Sequence, residues 1–412
     1  MSHRVRTDCR LCISTDLETV LELAPTPPAN EFVKAGDPEQ EKFPLYLVRC
    51  RSCGHVQLPV VVDPERLFGK YVYVSGTSPA FVDHFRRYAE KMIADLSLQP
   101  GDLVVDVGSN DGTLLRFFKD AGMRVTGVDP AEAIAGRATE AGIDTMPCFF
   151  DRKVARTIHA KHGPAALVLA NNVFAHADDL HEIALAARDL LDLSRGRFVF
   201  EVQSLVDLLE KTLFDMVYHE HLSYHHLAPL LPFFQSIAMA VTDVEHVDTH
   251  GGSIRVTVAP RKNVPASDNV DSFLKVEAAT LAGDPFGKLA RQVGEVGHRV
   301  FCFLTEEKAA GRTVVGYGAP AKLTTLCHQF GITAQDIAYV VDDSPWKQNL
   351  LAPGTRIPVQ SLDKINPVPY QQDPPVSWVI FAWNFAESIA KKLRDAGFTG
   401  KIVTPLPVFK EL

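Results

Sequence analysis

Residues 103–129, LVVDVGSNDGTLLRFFKDAGMRVTGVD, decide the fold of the middle of this chain. Two short apolar runs, LVVDV and RVTGV, have the length and composition of buried strands, and the segment between them has helical spacing. The same alternation continues in AALVLANN and GRFVFEV. Strands separated by helices predict a parallel doubly wound sheet, so we expect a Rossmann-like α/β domain here.

The loop after the first strand carries the candidate cofactor site. Its spacing, Gly108-x-x-x-Gly112, departs from the G-x-G-x-x-G dinucleotide pattern, and Asp129 follows Gly108 by 21 residues. An acidic residue at that point can accept both hydroxyls of a ribose. These features resemble the S-adenosylmethionine (SAM) loop of Rossmann-like methyltransferases, and a glycine turn that only supports the fold is the alternative. The candidate cofactor-binding residues are Asp106, Gly108, Asn110, Gly112, Asp129 and Asn171.

The composition of the 412 residues limits the classes of protein to which the chain can belong. With 46% hydrophobic and 22% charged residues it can bury an ordinary core, and its length suggests two or three domains. A net charge of −8 disfavours nucleic-acid binding. No apolar run reaches the roughly 20 residues that span a bilayer. The first residues do not resemble a signal peptide, so we expect a cytoplasmic protein with reduced cysteines.

Four of the seven cysteines form two pairs near the start of the chain. Cys9-x-x-Cys12 and Cys50-x-x-Cys53 each place two thiolates on a tight turn, and two such pairs can close a tetrahedron around Zn²⁺. Four thiolates leave no open coordination position, so the predicted zinc is structural. Four unlinked thiols are the alternative. We assign residues 1–75 to this zinc-ribbon-like domain.

A second glycine loop lies in the last third of the chain, where strand-like runs such as RTVVGYG and VSWVIFAW alternate with helical ones. Gly316-x-Gly318-x-x-Ala321 matches the dinucleotide pattern. It can hold NAD, hold the diphosphate of a nucleotide-sugar with help from Lys322, or only support the fold. Arg255, in HGGSIR, either reaches a phosphate or braces a strand. We expect a SAM-dependent methyltransferase domain at 76–262 and a C-terminal Rossmann-like α/β domain at 263–412.

The most unusual segment is FDMVYHEHLSYHH, residues 214–226. It lacks the H-E-x-x-H pattern of zinc proteases, because position 223 is serine. A metal site that uses His221 and His225, and the solvated start of a polar helix, are two alternatives to an active site. As an active site, the segment offers a phenol for an oxyanion, an imidazole base and a carboxylate to orient it.

Together these segments resemble the SAM-dependent C-methyltransferases that act on nucleotide-linked 4-keto-deoxysugars. The resemblance covers nearly the whole chain, from the CRLC…CRSCGHVQL ribbon and the APTPPANEF arm through VVDVGSNDGTLL and YHEHLSYHH to GYGAPAK. It implies a zinc-bearing N-terminal domain, a SAM-binding middle domain and a C-terminal domain that helps to hold the nucleotide-sugar. It also implies methyl transfer to a sugar carbon, most often C-3 and in some members C-5.

The resemblance also implies roles for individual residues. The implied active-site residues are Tyr218, Glu220, His221, His176 and Tyr73, with Tyr71 as the alternative to Tyr73. A ketone acidifies the neighbouring C–H, and removing that proton gives an enolate whose carbon can attack the methyl group of SAM. We expect His221 to be the base with an ordinary pKa of about 6.5, and His176 is the alternative. Glu220 would orient a neighbouring group, and Tyr218 would donate to the oxyanion.

The remaining expectations concern substrate and partners. We expect a nucleotide-diphospho-4-keto-deoxysugar, with dTDP favoured over GDP, bound by Arg255, Gly318 and Lys322. We expect no nucleic-acid or membrane partner, and we expect a monomer, because three packed domains can cover the apolar surface. The competing hypotheses are an NAD-dependent nucleotide-sugar oxidoreductase that uses the second loop, and a zinc-ribbon scaffold protein with a degenerate methyltransferase domain.

Overall fold

The computed structural model describes residues 2–69, 76, 79–262, 264–362 and 376–412. Tyr71 and Tyr73 lie outside these residues, so their role stays a prediction. The described residues form an N-terminal unit of antiparallel strands, a middle α/β unit and a C-terminal α/β unit. Within them, no helix combines the length and the apolar character that crossing a membrane requires.

Antiparallel strands build the N-terminal unit. Its elements are β1 (His3–Val5), β2 (Leu17–Thr26), β3 (Phe43–Cys50), β4 (Val56–Gln57), β5 (Val60–Val62) and the short helix α1 (Pro64–Phe68). The strands β2, β3 and β4 are neighbours in one sheet, and β1 pairs separately with β5. The two cysteine pairs lie at one end of the larger sheet, because Cys12 precedes β2 and Cys50 ends β3.

The middle unit is the predicted doubly wound sheet with an antiparallel extension. Its strands are β6 (Leu103–Val107), β7 (Arg124–Val128), β8 (Thr145–Met146), β9 (Leu167–Asn171), β10 (Arg197–Gln203), β12 (Ala240–Val247) and β13 (Ser253–Ala259). The strand order is β12-β13-β10-β9-β6-β7-β8. The five strands from β10 to β8 are parallel, which confirms the expected fold, whereas β13 and β12 run antiparallel at one edge.

Helices cover both faces of this sheet. They are α2 (Pro79–Asp95), α3 (Thr113–Asp120), α4 (Glu132–Glu140), α5 (Arg152–His162), α6 (Leu180–Leu190), α7 (Leu205–Glu210), α8 (Leu227–Ser236) and α9 (Asp268–Thr280). The carboxylate of Glu277 on α9 accepts hydrogen bonds from the first two backbone N–H groups of α8, and α9 also packs on β12. Residues 268–280, which the sequence assigned to the C-terminal domain, thus pack with the middle unit, and the boundary at residue 263 stays a prediction.

The segment YHEHLSYHH is not a helix, and its short strand belongs to the N-terminal sheet rather than to the middle sheet. Its short strand β11 (Ser223–Tyr224) pairs with β4 of the N-terminal unit, so the sheet order there is β11-β4-β3-β2. Most of the segment is buried, which excludes the interpretation as a solvated helix start. The cysteine-bearing sheet and this candidate active-site segment therefore form one structural element.

The C-terminal unit is a second, smaller parallel sheet. Its elements are α10 (Pro285–Ala309), β14 (Val314–Tyr317), α11 (Lys322–Phe330), β15 (Val340–Val341), β16 (Val359–Gln360), β17 (Ser377–Ile380), α12 (Ala386–Asp395), β18 (Ile402–Thr404) and β19 (Lys410–Glu411). The strand order is β16-β15-β14-β17-β18-β19, with only β19 antiparallel among these strands. Leu47 of β3, Leu213 and Leu323 of α11 belong to one buried apolar cluster, so the outer units share a core.

Candidate active site

A cavity of about 520 Å³ lies between the middle and C-terminal units, and residues from both line it. The carboxyl ends of parallel strands β6, β9 and β10 face it from one side, and the second glycine loop faces it from the other. Open α/β sheets bind ligands at the carboxyl ends of their strands. The two glycine loops thus face a common space, which neither loop alone predicted.

The first loop presents two carboxyl groups to this cavity. Asp106 is the penultimate residue of the fully buried strand β6, and its Oδ1 is buried without a hydrogen-bond partner. Burial, with a smaller contribution from nearby Asp129, raises the pKa of Asp106 to about 8. The carboxylate of Asp129 accepts hydrogen bonds from the backbone N–H groups of Asn110 and Ala131, each at 2.9 Å. An unpartnered buried carboxyl group beside a cavity is suited to a cationic ligand, so these residues fit SAM.

The two glycines of the first loop are required by the protein's own packing. Gly108 has φ +69°, and an added Cβ would lie 2.2 Å from the side chain of Val173. At Gly112, with φ +75°, a Cβ would meet Ile143 at 3.0 Å. Gly108 lines the cavity, but Gly112 lies behind its wall. Any larger residue at Gly108 would displace Val173, which is also a wall residue.

Two histidines and a tyrosine lie together in the wall of the cavity. The Nδ1–H of His221 donates to the carbonyl oxygen of Met216 at 2.8 Å, which leaves Nε2 as the free lone pair. The ring of His221 stacks on His176 at 5.1 Å between centroids and lies 4.0 Å from the ring of Tyr218. The Nε2 of His176 is buried without a partner.

Burial keeps both of these imidazoles neutral. It lowers the pKa of His176 to about 4, and together with His176 it lowers the pKa of His221 well below its usual value. The expectation of an ordinary pKa of about 6.5 for His221 is therefore wrong. At neutral pH both rings are unprotonated, so each can accept a proton without first losing one.

Glu220 contacts the N-terminal unit, and His225 lies in the core of the middle unit. Both carboxylate oxygens of Glu220 lie 2.9 Å from the side-chain nitrogen of Asn30, which belongs to the N-terminal unit and itself lines the cavity. The ring of His225 stacks on Phe174 inside the middle core. Within the described residues, the only group of three or more potential metal ligands is the cysteine quartet, so the metal interpretation of His221 and His225 finds no support.

The C-terminal wall carries two buried lysines. The Nζ of Lys322 donates to Asn384 at 2.8 Å and lies 3.7 Å from the centroid of the Trp383 ring, and Lys347 donates to the carbonyl oxygen of Ala319 at 3.0 Å. Burial lowers the pKa of Lys322 to about 8. Both lysines line the cavity, and either can face an anionic ligand there.

Packing accounts for the glycines of the second loop. An added Cβ on Gly318 would lie 2.5 Å from the Cβ of Ala382, and one on Gly316 would meet Phe381 at 2.7 Å. The carboxylate of Asp342 accepts from the backbone N–H groups of Ala319 and Ser344. The dinucleotide pattern at this loop therefore reflects close packing, and Gly318 does not line the cavity.

Arg255 braces strands rather than binding a phosphate. It is 5% exposed, its guanidinium pairs with Glu201 on β10 and Glu245 on β12, and it lies 3.6 Å from the centroid of the Tyr88 ring. It is not among the cavity-lining residues. The expectation that Arg255 binds substrate is corrected, because two carboxylates already occupy its guanidinium.

Besides Lys347, three further polar residues of the cavity were not identified from the sequence. Gln203, at the carboxyl end of β10, is 8% exposed, and neither its Oε1 nor its Nε2 has a partner. His250 has φ +52° and lines the same cavity. Asn30 comes from the APTPPANEF arm. The only available signal was for Gln203, because a polar residue directly after a buried parallel strand often lies at a ligand site.

The cysteine quartet has the geometry of a metal site. The Sγ atoms of Cys9 and Cys53 lie 3.6 Å apart, those of Cys12 and Cys50 lie 3.5 Å apart, and all four fall within 4.8 Å of one another. A tetrahedron with Zn–S bonds of about 2.3 Å has S···S edges of about 3.8 Å. The four thiolates therefore fit a structural zinc ion.

Known proteins are similar to this chain over nearly its whole length. Family models match a zinc binding domain at residues 9–68, a methyltransferase domain at 81–236 and a C-methyltransferase C-terminal domain at 248–407. C-methyltransferase NovU of Streptomyces niveus is 35% identical over 414 residues, covering 97% of this chain and 95% of that protein.

Two solved structures show the extent of the structural similarity, which in each case covers less than half of this chain. Magnesium protoporphyrin IX methyltransferase of Synechocystis with bound S-adenosylhomocysteine has a TM-score of 0.34 and 18% identity, over 43% of this chain and 82% of that one. A SAM-dependent methyltransferase of Archaeoglobus fulgidus has a TM-score of 0.35 and 14% identity, over 44% and 97%. On the family models and the full-length relative, this chain belongs to the SAM-dependent C-methyltransferases that carry a zinc-binding N-terminal domain.

Proposed function

We propose that this C-methyltransferase methylates a carbon next to the ketone of a nucleotide-linked 4-keto-deoxysugar, at C-3 rather than C-5, through an enolate. The observation that carries the proposal is the free Nε2 of His221, whose Nδ1–H is held by Met216 inside the cavity that also contains Asp106. The curated relative is named a C-methyltransferase, and carbon methylation requires a base that first creates a carbon nucleophile.

Different residues of the cavity have different roles in the proposed reaction. Bound SAM supplies the electrophilic methyl group. His221 removes the proton beside the ketone through Nε2, and its neutral state at pH 7 makes it competent for that step. Tyr218, in ring contact with His221, donates to the developing enolate oxygen, where losing such a donor typically costs roughly 10²–10³ in rate. His176 is stacked on His221 and is the alternative base.

The strand order supports a position for the acceptor. Asp106 and Asp129, at the ends of β6 and β7, belong to the proposed cofactor side with Gly108 and Asn110. β9 and β10 follow on the other side of β6, and adjacent strands lie about 4.8 Å apart. The acceptor sugar would therefore lie near the carboxyl end of β10, where the unpartnered amide of Gln203 offers both a donor and an acceptor. Asn171, at the end of β9, would lie between the two ligands.

The nucleotide would lie against the C-terminal wall. Lys322 and Lys347 are the lysines that line the cavity, and Lys322 begins helix α11, whose N-terminal end faces it. A diphosphate is favoured by both the ammonium groups and the helix dipole. We propose a dTDP-sugar in preference to a GDP-sugar. The oxidoreductase alternative finds no support in the comparisons, because the family models and the full-length relative are those of C-methyltransferases.

Incubation with SAM and a panel of dTDP- and GDP-4-keto-6-deoxysugars tests the proposal. One acceptor should gain the mass of one methylene, with the new carbon bonded to a ring carbon by NMR. The variant His221→Asn should lose at least roughly 100-fold in turnover and keep its affinity for S-adenosylhomocysteine. His159→Asn, on the exposed end of α5, is the matched control and should remain active. Full activity of His221→Asn would refute the assigned base.

A further inference from the structure

The N-terminal unit reaches the active site through the APTPPANEF arm, residues 24–32, which begins within the last residues of β2. This arm includes Asn30, whose side-chain nitrogen lies 2.9 Å from both carboxylate oxygens of Glu220, although 190 residues separate them in the chain. Asn30 is also a lining residue of the cavity. The side-chain amide of Asn30 thus contacts the YHEH segment, and Asn30 also lines the cavity in which we place the substrate.

Both larger units hold the arm in place. On one side, Thr26 and the carbonyl oxygen of Pro44 contact the ring of His219, the residue before Glu220. On the other side, Thr324 of α11 donates to the carbonyl oxygen of Ala29 at 3.1 Å. Thr26 and Ala29 precede Asn30 in the chain, so these contacts hold the backbone that leads into it. An amide held in this way loses little further entropy when it binds Glu220.

Val33 extends the same attachment into the C-terminal unit. Its backbone N–H and carbonyl oxygen pair with Leu351 at 3.2 and 2.8 Å, as an isolated antiparallel bridge. The arm therefore lies between the element that carries Glu220 and the unit whose lysines face the cavity. A displacement of the zinc-bearing sheet would move Asn30, because β2 leads directly into the arm.

We infer that Asn30 is a positioning residue for the reaction: its amide holds the Glu220 carboxylate in one orientation, and the zinc-binding domain thereby contributes to the active site. This inference rests on the proposed function for the role of Glu220. Asn30 donates from a neutral NH₂ group, so it orients the carboxylate without adding a charge. An isosteric acid at this position would place a second carboxyl group against Glu220, and two carboxylates in contact share a proton rather than both ionising.

A thermal-denaturation cycle tests the contact independently of catalysis. In Asn30→Asp, the new carboxyl group and that of Glu220 repel each other when both are ionised, so the pKa of one of them is raised in the folded state. The variant should therefore be less stable than wild type at pH 8, and this difference in stability should shrink as the pH falls to 5.5. Glu220→Gln should abolish that pH dependence in the double variant. A pH-independent loss of stability, or the same loss in the Glu220→Gln background, would overturn the inferred contact.

Methyl transfer to the active member of the dTDP-sugar panel tests the role. Asn30→Ala should lower kcat by at least roughly tenfold through misplacement of the reacting groups, with the S-adenosylhomocysteine affinity unchanged, and the optimum of Asn30→Asp should move to lower pH. Gln329→Ala removes a hydrogen bond to the arm at Ala24 without touching Glu220 and should keep wild-type kcat. Equal losses in Asn30→Ala and Gln329→Ala would reduce Asn30 to a structural role. A wild-type protein that methylates no sugar refutes the proposed function instead, and the thermal cycle still decides the contact.

Discussion

At the scale of single residues, the environment of Asp106 should make SAM binding depend on pH. Its carboxyl group is buried, lacks a partner at Oδ1 and has its pKa raised to about 8. A cation bound beside it favours the ionised form, so binding below pH 8 must release a proton. SAM affinity should therefore rise by up to about tenfold per pH unit between pH 6.5 and 8, as measured by isothermal titration calorimetry.

Asp106→Asn provides the control for that titration. It preserves the size of the side chain and removes the ionisable group, so the pH slope should become shallower and affinity at pH 8 should fall. The amino group of SAM titrates identically with both proteins and cancels in the comparison. Identical slopes for wild type and variant would mean that Asp106 does not face the cofactor.

At the scale of elements, Arg255 ties β13 to its neighbours. Its partner Glu201 is 2% exposed, and the pKa of that carboxyl group is lowered to about 2, with Arg255 and His84 outweighing burial. Arg255→Ala leaves a buried carboxylate short of its cation, and breaking such pairs typically costs about 3–5 kcal/mol. Chemical denaturation should show this loss in the free energy of unfolding. The folded variant should keep the wild-type KM for the sugar-nucleotide. A raised KM without a loss of stability would restore the phosphate-binding role.

The zinc-bearing sheet is the element on which the active-site segment depends. Because β11 pairs with β4, loss of the metal at the cysteine quartet should loosen the segment that carries Glu220. Cys50→Ser should lower both the melting temperature and the rate of methyl transfer. Cys302→Ser lies outside the quartet and should change neither. A zinc-free protein with full activity would contradict this dependence.

The sequence predicted the elements whose signal is local. The apolar runs of β6, β7, β9 and β10 are strands, and the cysteine spacing matched the quartet. Contacts between distant segments were not predictable in the same way. The two residues of β11 are too short to show a period, the direction of β13 is not encoded in its apolar pattern, and the unpartnered amide of Gln203 becomes apparent only after the strands are aligned.

The glycine patterns show why a motif alone misled the interpretation of the second loop. In HGGSIR, a Cβ on Gly251 would meet Trp383 of the C-terminal unit at 2.5 Å. Gly318 likewise accommodates Ala382. Gly318 permits close packing within one unit, and Gly251 permits it between two units. A sequence motif for phosphate binding cannot distinguish a glycine required by packing from a glycine that leaves space for a ligand.

At the scale of the whole molecule, buried histidines link folding to pH. Burial lowers the pKa of His176, His219 and His250 to about 4 and that of His225 to about 3. The unfolded chain takes up protons below about pH 6.5 that the folded chain does not. Each such histidine then costs up to about 1.4 kcal/mol of stability per pH unit until its folded pKa is reached.

The melting temperature should therefore fall as the pH drops from 7 to 5.5, with net proton uptake on unfolding. Asp106 and Asp215 act in the opposite direction, because burial raises the pKa of each and lets the folded state keep a proton, but the histidines outnumber them. Measuring zinc release in the same scans controls for loss of the metal. A melting temperature that is constant or rises over this range would contradict the histidine linkage.

If His221 creates a carbanion beside a ketone, the hydrogen at that carbon should exchange with solvent even when no methyl group is transferred. In D₂O, with S-adenosylhomocysteine in place of SAM, the wild-type protein should exchange one C–H next to the ketone of the active 4-keto-deoxysugar, as read by mass spectrometry and ¹H NMR. His221→Asn should slow that exchange to near the uncatalysed rate. Exchange at the wild-type rate in His221→Asn, or none in a wild-type protein that still methylates carbon, would contradict the account.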